Sequence, residues 1–163
     1  MQFDAQSGLK PVWRCKFIHT TDSEHDLPIA PNVLNRQFDP PAPNMTYVTD
    51  ITYIRTGAGW VYLAIVLDLF AHKVVAWPMA PSMPAELVCN ALHGHPRQPC
   101  LGLVVHSDRS SQYASALYQE LLDEHGFVCS MSRKGNCCDT QSIMVGSAIA
   151  ERFFLNLKTA RVW

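Results

Sequence analysis

Hydrophobic patterning divides the chain into two unequal parts. Residues 1–45 carry little apolar periodicity and six prolines, at positions 11, 28, 31, 40, 41 and 43, so they read as an extended arm or linker. The boundary falls near Asn44, giving an arm over 1–43 and a compact domain over 44–163. From Thr46 the chain turns to β-branched and aromatic residues in T-Y-V-T-D-I-T-Y-I, breaks at Thr56-Gly57-Ala58-Gly59, and resumes in W-V-Y-L-A-I-V-L-D-L-F, which predicts a hairpin. A third apolar run, Lys73 to Met79, comes after a short connector and completes a meander.

Beyond the meander the period lengthens. Pro84 to Leu92 has apolar positions three and four apart, with Ser82 available as an N-cap, and predicts a helix. Leu101 to His106 reads as a fourth strand ending at Ser107-Asp108. Ser111 to His125 is amphipathic and stops at Gly126, where a left-handed residue is favoured. Phe127 to Ser130 is a fifth strand, and Ala148 to Val162 shows helical spacing through Ile149, Phe153, Leu157 and Ala160. The order β-β-β-α-β-α-β-α predicts an α/β domain with a mixed five-stranded sheet, an antiparallel meander plus two further strands, flanked by helices.

Composition narrows the function classes. No run approaches the length of a membrane span, and Met1 to Lys10 lacks the basic and apolar segments of a leader, so a soluble, unsecreted protein without membrane partners is expected. The six cysteines are scattered without a C-x-x-C, so the expectation is reduced thiols and no zinc. His93 and His95 are the closely spaced histidine pair and have no partner ligands nearby in sequence. A net charge of −1 argues against strong DNA binding by this chain alone, since Lys and Arg supply most non-specific affinity.

Three carboxylates stand out by position: Asp50 in mid-strand, Asp108 just after the fourth strand, and Glu151 at the start of the last helix. An Asp within an apolar strand is costly to bury unless it is paired or bound to a metal. Alternation could instead turn Asp50 to solvent, and Asp68 in V-L-D-L-F raises the same question. Asp108 in H-S-D-R-S-S-Q-Y would serve equally as a helix cap. The residues alone leave these readings open.

The blocks Y-V-T-D-I-T-Y-I, G-W-V-Y-L-A-I-V-L-D-L-F, H-S-D-R-S-S-Q-Y and S-M-S-R-K-G-N-C-C-D, together with T-T-D-S-E-H-D-L-P-I-A-P-N-V-L-N-R-Q-F upstream, resemble successive blocks of insertion-sequence transposases made by frameshifting across two overlapping reading frames. The resemblance is to the second-frame product and runs from about Lys16 to the C-terminus. It implies a ribonuclease H-like, integrase-type core with a metal-dependent triad on Asp50, Asp108 and Glu151, holding two Mg²⁺ or Mn²⁺ ions. Oxygen ligands suit such hard cations, which act on both the attacking and the leaving oxygen of an in-line displacement at phosphorus. The implied function is DNA cleavage and strand transfer in transposition. The implied partners are transposon-end and target DNA and further copies of the chain, in a bacterial cytoplasm at the nucleoid.

Lys158 falls where the family has a Lys near the DNA, two helical turns beyond Glu151. Arg133 and Lys134 are candidate phosphate contacts, and Arg109 and Gln112, with Ser107 and Tyr113, surround the second Asp. Helix capping, packing and plain solvation are the competing accounts of all of these. The spacing from Asp108 to Glu151 is seven residues longer than the resemblance implies. A bulged loop ahead of Gly146 and Ser147 keeps Glu151 within reach, whereas a lengthened helix displaces it by roughly 10 Å. The chain is also expected to continue from a helix-turn-helix region that it lacks, and to be shortened at its C-terminus. An inactive remnant, a regulatory DNA-binding fragment and a stand-alone metal nuclease therefore remain open. Because the family order sets the fourth strand beside the first, an active site requires Asp50 and Asp108 on adjacent strands and on one face.

Overall fold

The computed structural model describes residues 25–94 and 100–133. Within them, β1 (Thr46–Thr56) and β2 (Gly59–Asp68) pair antiparallel from Tyr47↔Asp68 to Thr56↔Gly59. The two-residue turn between them is closed by a bond from the Thr56 hydroxyl to the Gly59 carbonyl, 2.9 Å. Gly59 holds φ +129°, a conformation that side chains rarely adopt, so the Gly-rich break is a backbone requirement.

The expected third strand is divided. β3 (Lys73–Ala76) pairs with β2, the chain breaks at Trp77-Pro78, and β4 (Met79–Ala80) resumes the pairing with Tyr62 and Leu63. Pro78 has no N–H to give the ladder, and its carbonyl still accepts from Ala64 N at 3.1 Å. This makes six strands among the described residues where five were expected.

α1 (Ala85–His93) comes next, with Pro84 at its N-cap and no side-chain cap, so Ser82 does not play that part. A turn through Gly102, at φ +79°, delays the next strand to β5 (Val104–Ser107) and leaves Leu101 91% exposed. The expected long helix is also two pieces, α2 (Ser111–Ala114) and α3 (Ala116–Glu124), separated by Ser115 in an extended conformation. Gly126 takes φ +66° as expected, and β6 (Val128–Met131) is the last described strand. The last predicted helix, over 148–162, lies outside the described residues.

Strand order is β3-β2-β1-β5-β6, with β1–β5 and β5–β6 parallel. One face carries Tyr47, Ile51, Ala64, Val66 and Val105, buried against Leu87, Val88, Ala91, Leu121 and Leu122 of α1 and α3. Each fully buried Leu or Val there contributes about 1.5–3 kcal/mol. On the opposite face Val48 and Leu69 pack on Leu34, with Phe38 alongside. The stretch 25–43 has no helix or strand, yet it lies docked on the sheet.

Candidate active site

Parallel pairing of β1 with β5 builds the site. Thr46 stands opposite Val104, Tyr47 opposite Val105 and Val48 opposite His106. The paired register ends at Val48 and His106, two residues before Asp50 on β1 and two before Asp108, which stands just past the end of β5. Side chains alternate along a strand, so Asp50 shares a face with Val48, the face opposite α1 and α3. β1 and β5 are thus adjacent, as expected, while Asp108 itself follows the last residue of β5.

Both carboxylates are half-buried, and each spends an oxygen on nearby backbone. Asp50 Oδ1 accepts from Ile51 N at 2.8 Å, and Asp108 Oδ1 accepts from Ser110 N at 2.9 Å. The second bond makes a tight turn ahead of α2, whose N-cap is Ser110 with no side-chain cap, so Asp108 is not the helix cap. Asp68 is different. It is 1% exposed, with Oδ2 accepting from Asn44 N and Oδ1 from Phe70 N and Ala71 N. Its task is to hold the β2–β3 turn.

Tyr113 lies behind the pair. Burial pushes its phenol well above the ordinary tyrosine range, Tyr118 raises it further, and then Asp108 and Asp50 do so in turn. Both carboxylates are thus within electrostatic reach of one phenol. Neither the Tyr113 nor the Tyr118 hydroxyl has a partner in good hydrogen-bond geometry among the described residues.

The remaining candidates divide by what they touch. Arg109 Nε donates to the Ser132 carbonyl at 2.6 Å, fastening the Asp108 turn to the end of β6. Gln112 Nε2 donates to Met83 O at 3.2 Å, tying α2 to the start of α1. Arg133 is exposed and donates from Nη2 to Asn35 Oδ1 at 2.9 Å. Glu151, Lys158 and Lys134 lie outside the described residues. No group of three or more metal-ligating side chains occurs among the described residues, which hold two of the three expected carboxylates. No helix among them is long and apolar enough to cross a membrane.

Sequence reasoning passed over His106 and Ser130, both fully buried and joined from Nδ1 to Oγ at 2.9 Å. Their signal was available as single polar residues inside short apolar strands, the same signal that marked Asp50.

Residues 40–137 match the Integrase core domain family. The chain is 46% identical over 126 residues to the insertion element IS600 uncharacterized 31 kDa protein of Shigella sonnei, covering 76% of this chain and 46% of that one. It is 40% identical over 155 residues to transposase InsF for insertion sequence IS3A of Escherichia coli K12, covering 94% of this chain and 51% of the relative. The chain thus spans about half the length of the curated relatives it matches. Among solved structures, the HTLV-2 integrase catalytic core domain in complex with magnesium superposes with a TM-score of 0.53 at 14% identity, covering 76% of this chain and 79% of that one. That likeness identifies the mixed sheet with its flanking helices as the ribonuclease H-like fold. The family match over most of the described chain, with relatives among insertion-sequence transposases, places this chain in the integrase core domain family.

Proposed function

We propose that the chain is the catalytic core of an insertion-sequence transposase, which cleaves DNA at transposon ends and transfers the freed strand into target DNA. The observation that supports this reading is the parallel pairing of β1 with β5, whose register, continued two residues beyond Val48 and His106, would set Asp50 beside Asp108. Asp50 on β1 and Asp108 just past β5 would offer a donor set of hard oxygens, and Asp108 commits only Oδ1 to the protein among the described residues. Asp50, Asp108 and Glu151 would hold two divalent cations, Mg²⁺ or Mn²⁺. When bound, these supply Lewis-acid stabilisation of charge at the reacting phosphate.

The two reactions differ only in nucleophile. Water first attacks the phosphorus at a transposon end, the P–O bond to the leaving strand breaks, and a 3′ hydroxyl is released. That hydroxyl then attacks a target phosphodiester and displaces a second 3′ oxygen. No protein atom is linked covalently to DNA, so no Ser or Tyr nucleophile is required. Arg109 and Gln112 hold the Asp108 turn and α2 in place, while Arg133, Lys134 and Lys158 would meet phosphates. The complete protein would act as a homo-oligomer on nucleoid DNA in a bacterial cytoplasm.

The test is cleavage of a labelled duplex carrying an element end, with Mg²⁺ or Mn²⁺. Nicking at the end is expected, and it should be lost in Asp50→Asn, Asp108→Asn and Glu151→Gln. Sequence-independent cutting would point to a plain nuclease. Inhibition of an intact relative without any cutting would point to a regulatory fragment.

A further inference from the structure

The bonds around Ser130 fix more than a local contact. Its Oγ lies 3.0 Å from Val33 N, 3.1 Å from Leu34 N and 2.9 Å from His106 Nδ1. A hydroxyl has one proton and two acceptor lone pairs. The two backbone amides can only donate, so they occupy the lone pairs and the proton goes to His106 Nδ1. His106 is therefore a neutral imidazole with its own proton on Nε2, fully buried two residues before Asp108.

The same stretch of upstream chain grips the Asp108 turn at further points. His25 Nε2 lies 2.8 Å from the Arg109 carbonyl, while its Nδ1 accepts from Leu27 N. A carbonyl cannot donate, so Nε2 carries the proton and bonds to Arg109. Met131 N donates to Pro31 O at 3.4 Å, and Arg133 reaches Asn35. Ser132 N donates to Ser107 O while its carbonyl accepts from Arg109 Nε, so Ser107 and Arg109, on either side of Asp108, are both held by the end of β6. Leu34, 5% exposed against Val48 and Leu69, anchors the segment on the face that carries Asp50.

We propose that residues 25–35 form a strap that sets the position of the Asp108 turn, with Ser130 and His106 as the positioning residues through which it acts. Ser130 is the joint: its hydroxyl touches the strap and the strand that leads into Asp108 at once. A displacement of the chain upstream is thereby transmitted to one of the three candidate metal ligands. The catalytic meaning of the strap rests on the proposed metal-binding role of Asp50 and Asp108, but its mechanical content does not.

The test uses the whole chain, ¹⁵N-labelled, as Ser130→Ala, Ser130→Thr and His25→Ala variants. It monitors the His106 imidazole nitrogens, amide exchange and Mn²⁺ affinity. The unaltered chain should show His106 protonated on Nε2 alone. Ser130→Ala should mix the His106 tautomers, speed exchange at Val33, Leu34 and the Ser110 amide together, and weaken Mn²⁺ binding about tenfold. Ser130→Thr, which keeps the hydroxyl, should restore the tautomer. Should Ser130→Ala fail to fold, His25→Ala still decides, by freeing the Ser110 amide while leaving Val33 and Leu34 protected. Faster exchange confined to the strap, with Ser110 and Mn²⁺ affinity unchanged, would overturn the proposal. Absence of Mn²⁺ binding by the unaltered chain would count against the metal reading instead, and the tautomer and Ser110 amide would still decide the strap.

Discussion

Asp50 and Asp68 occupy equivalent places in the sequence, each an acid within an apolar strand, and the structure separates them by what surrounds their oxygens. Asp68 meets three backbone amides and is a structural turn-former. Asp50 accepts from Ile51 N and, in the proposed site, would face Asp108, a like charge whose approach opposes stability. The metal-free chain should therefore gain about 0.5–1 kcal/mol in Asp50→Asn or Asp108→Asn. Added Mn²⁺ should reverse the order by stabilising the unaltered chain alone, as thermal unfolding with and without metal would show. Behind the pair, Tyr113 and Tyr118 both have phenols raised from the usual value of 10.0 by burial. Below that value the phenol is neutral in both the folded and unfolded chain, so these groups leave stability flat. Above it the unfolded chain loses phenolic protons that the folded chain keeps, and stability falls as pH rises. Urea unfolding between about pH 8 and 11 should show this decline, and Tyr118→Phe should lessen it. Among the described residues Thr49 is the one side chain that faces the Tyr118 hydroxyl as a hydrogen-bond partner, and not in good geometry, so that substitution should leave neutral-pH stability within about 1 kcal/mol of the parent.

At the scale of elements, local pattern located nearly every strand and helix in the described chain but not the interruptions. The hairpin was legible because Gly57 and Gly59 bracket a turn between two β-branched runs. The break at Ser115 was not, because apolar spacing continues across it from Tyr113 and Ala114 to Tyr118, Leu121 and Leu122. Ser115 bears no capping-box partner, since the residue three ahead is Tyr118. Bonds reaching across the two helices hold the break. Ser115 Oγ donates to Gln112 O at 2.7 Å and accepts from Tyr118 N, and Gln119 Nε2 donates to the Tyr113 carbonyl. Ser115→Ala should cost about 1 kcal/mol in denaturant unfolding, the usual loss for an N-cap. A cost near zero would mean that Gln119 alone keeps α2 and α3 apart. The third strand divides at Pro78 for a reason visible in the sequence, the missing N–H, although the apolar run conceals it.

For the molecule as a whole, the sheet and its order accord with the pattern together with the family resemblance. Alternation alone could not choose which face of β1 is buried, since β1 is covered on both faces: by α1 and α3 on one, and by Leu34 and Phe38 on the other. The docking of residues 25–43 was illegible for the same reason. Its Pro-rich composition marks it as irregular but carries no periodicity to show that Leu34 is core, and its hydrogen bonds go to residues nearly a hundred positions away. Of the site, Asp50 and Asp108 could be named from sequence as candidates, but the parallel β1–β5 pairing on which their meeting would depend could not be read from alternation. The acidic balance of the chain, −1 overall, leaves little to bind DNA by charge alone, so the proposed chemistry depends on the carboxylates gathering metal. Calorimetric titration of the chain with Mn²⁺, alongside Asp50→Asn, Asp108→Asn and Glu151→Gln, addresses that dependence without any DNA present. Saturable binding that each substitution weakens is the expected result. Binding that is absent, or unchanged in Asp108→Asn, would contradict a metal site built on these carboxylates.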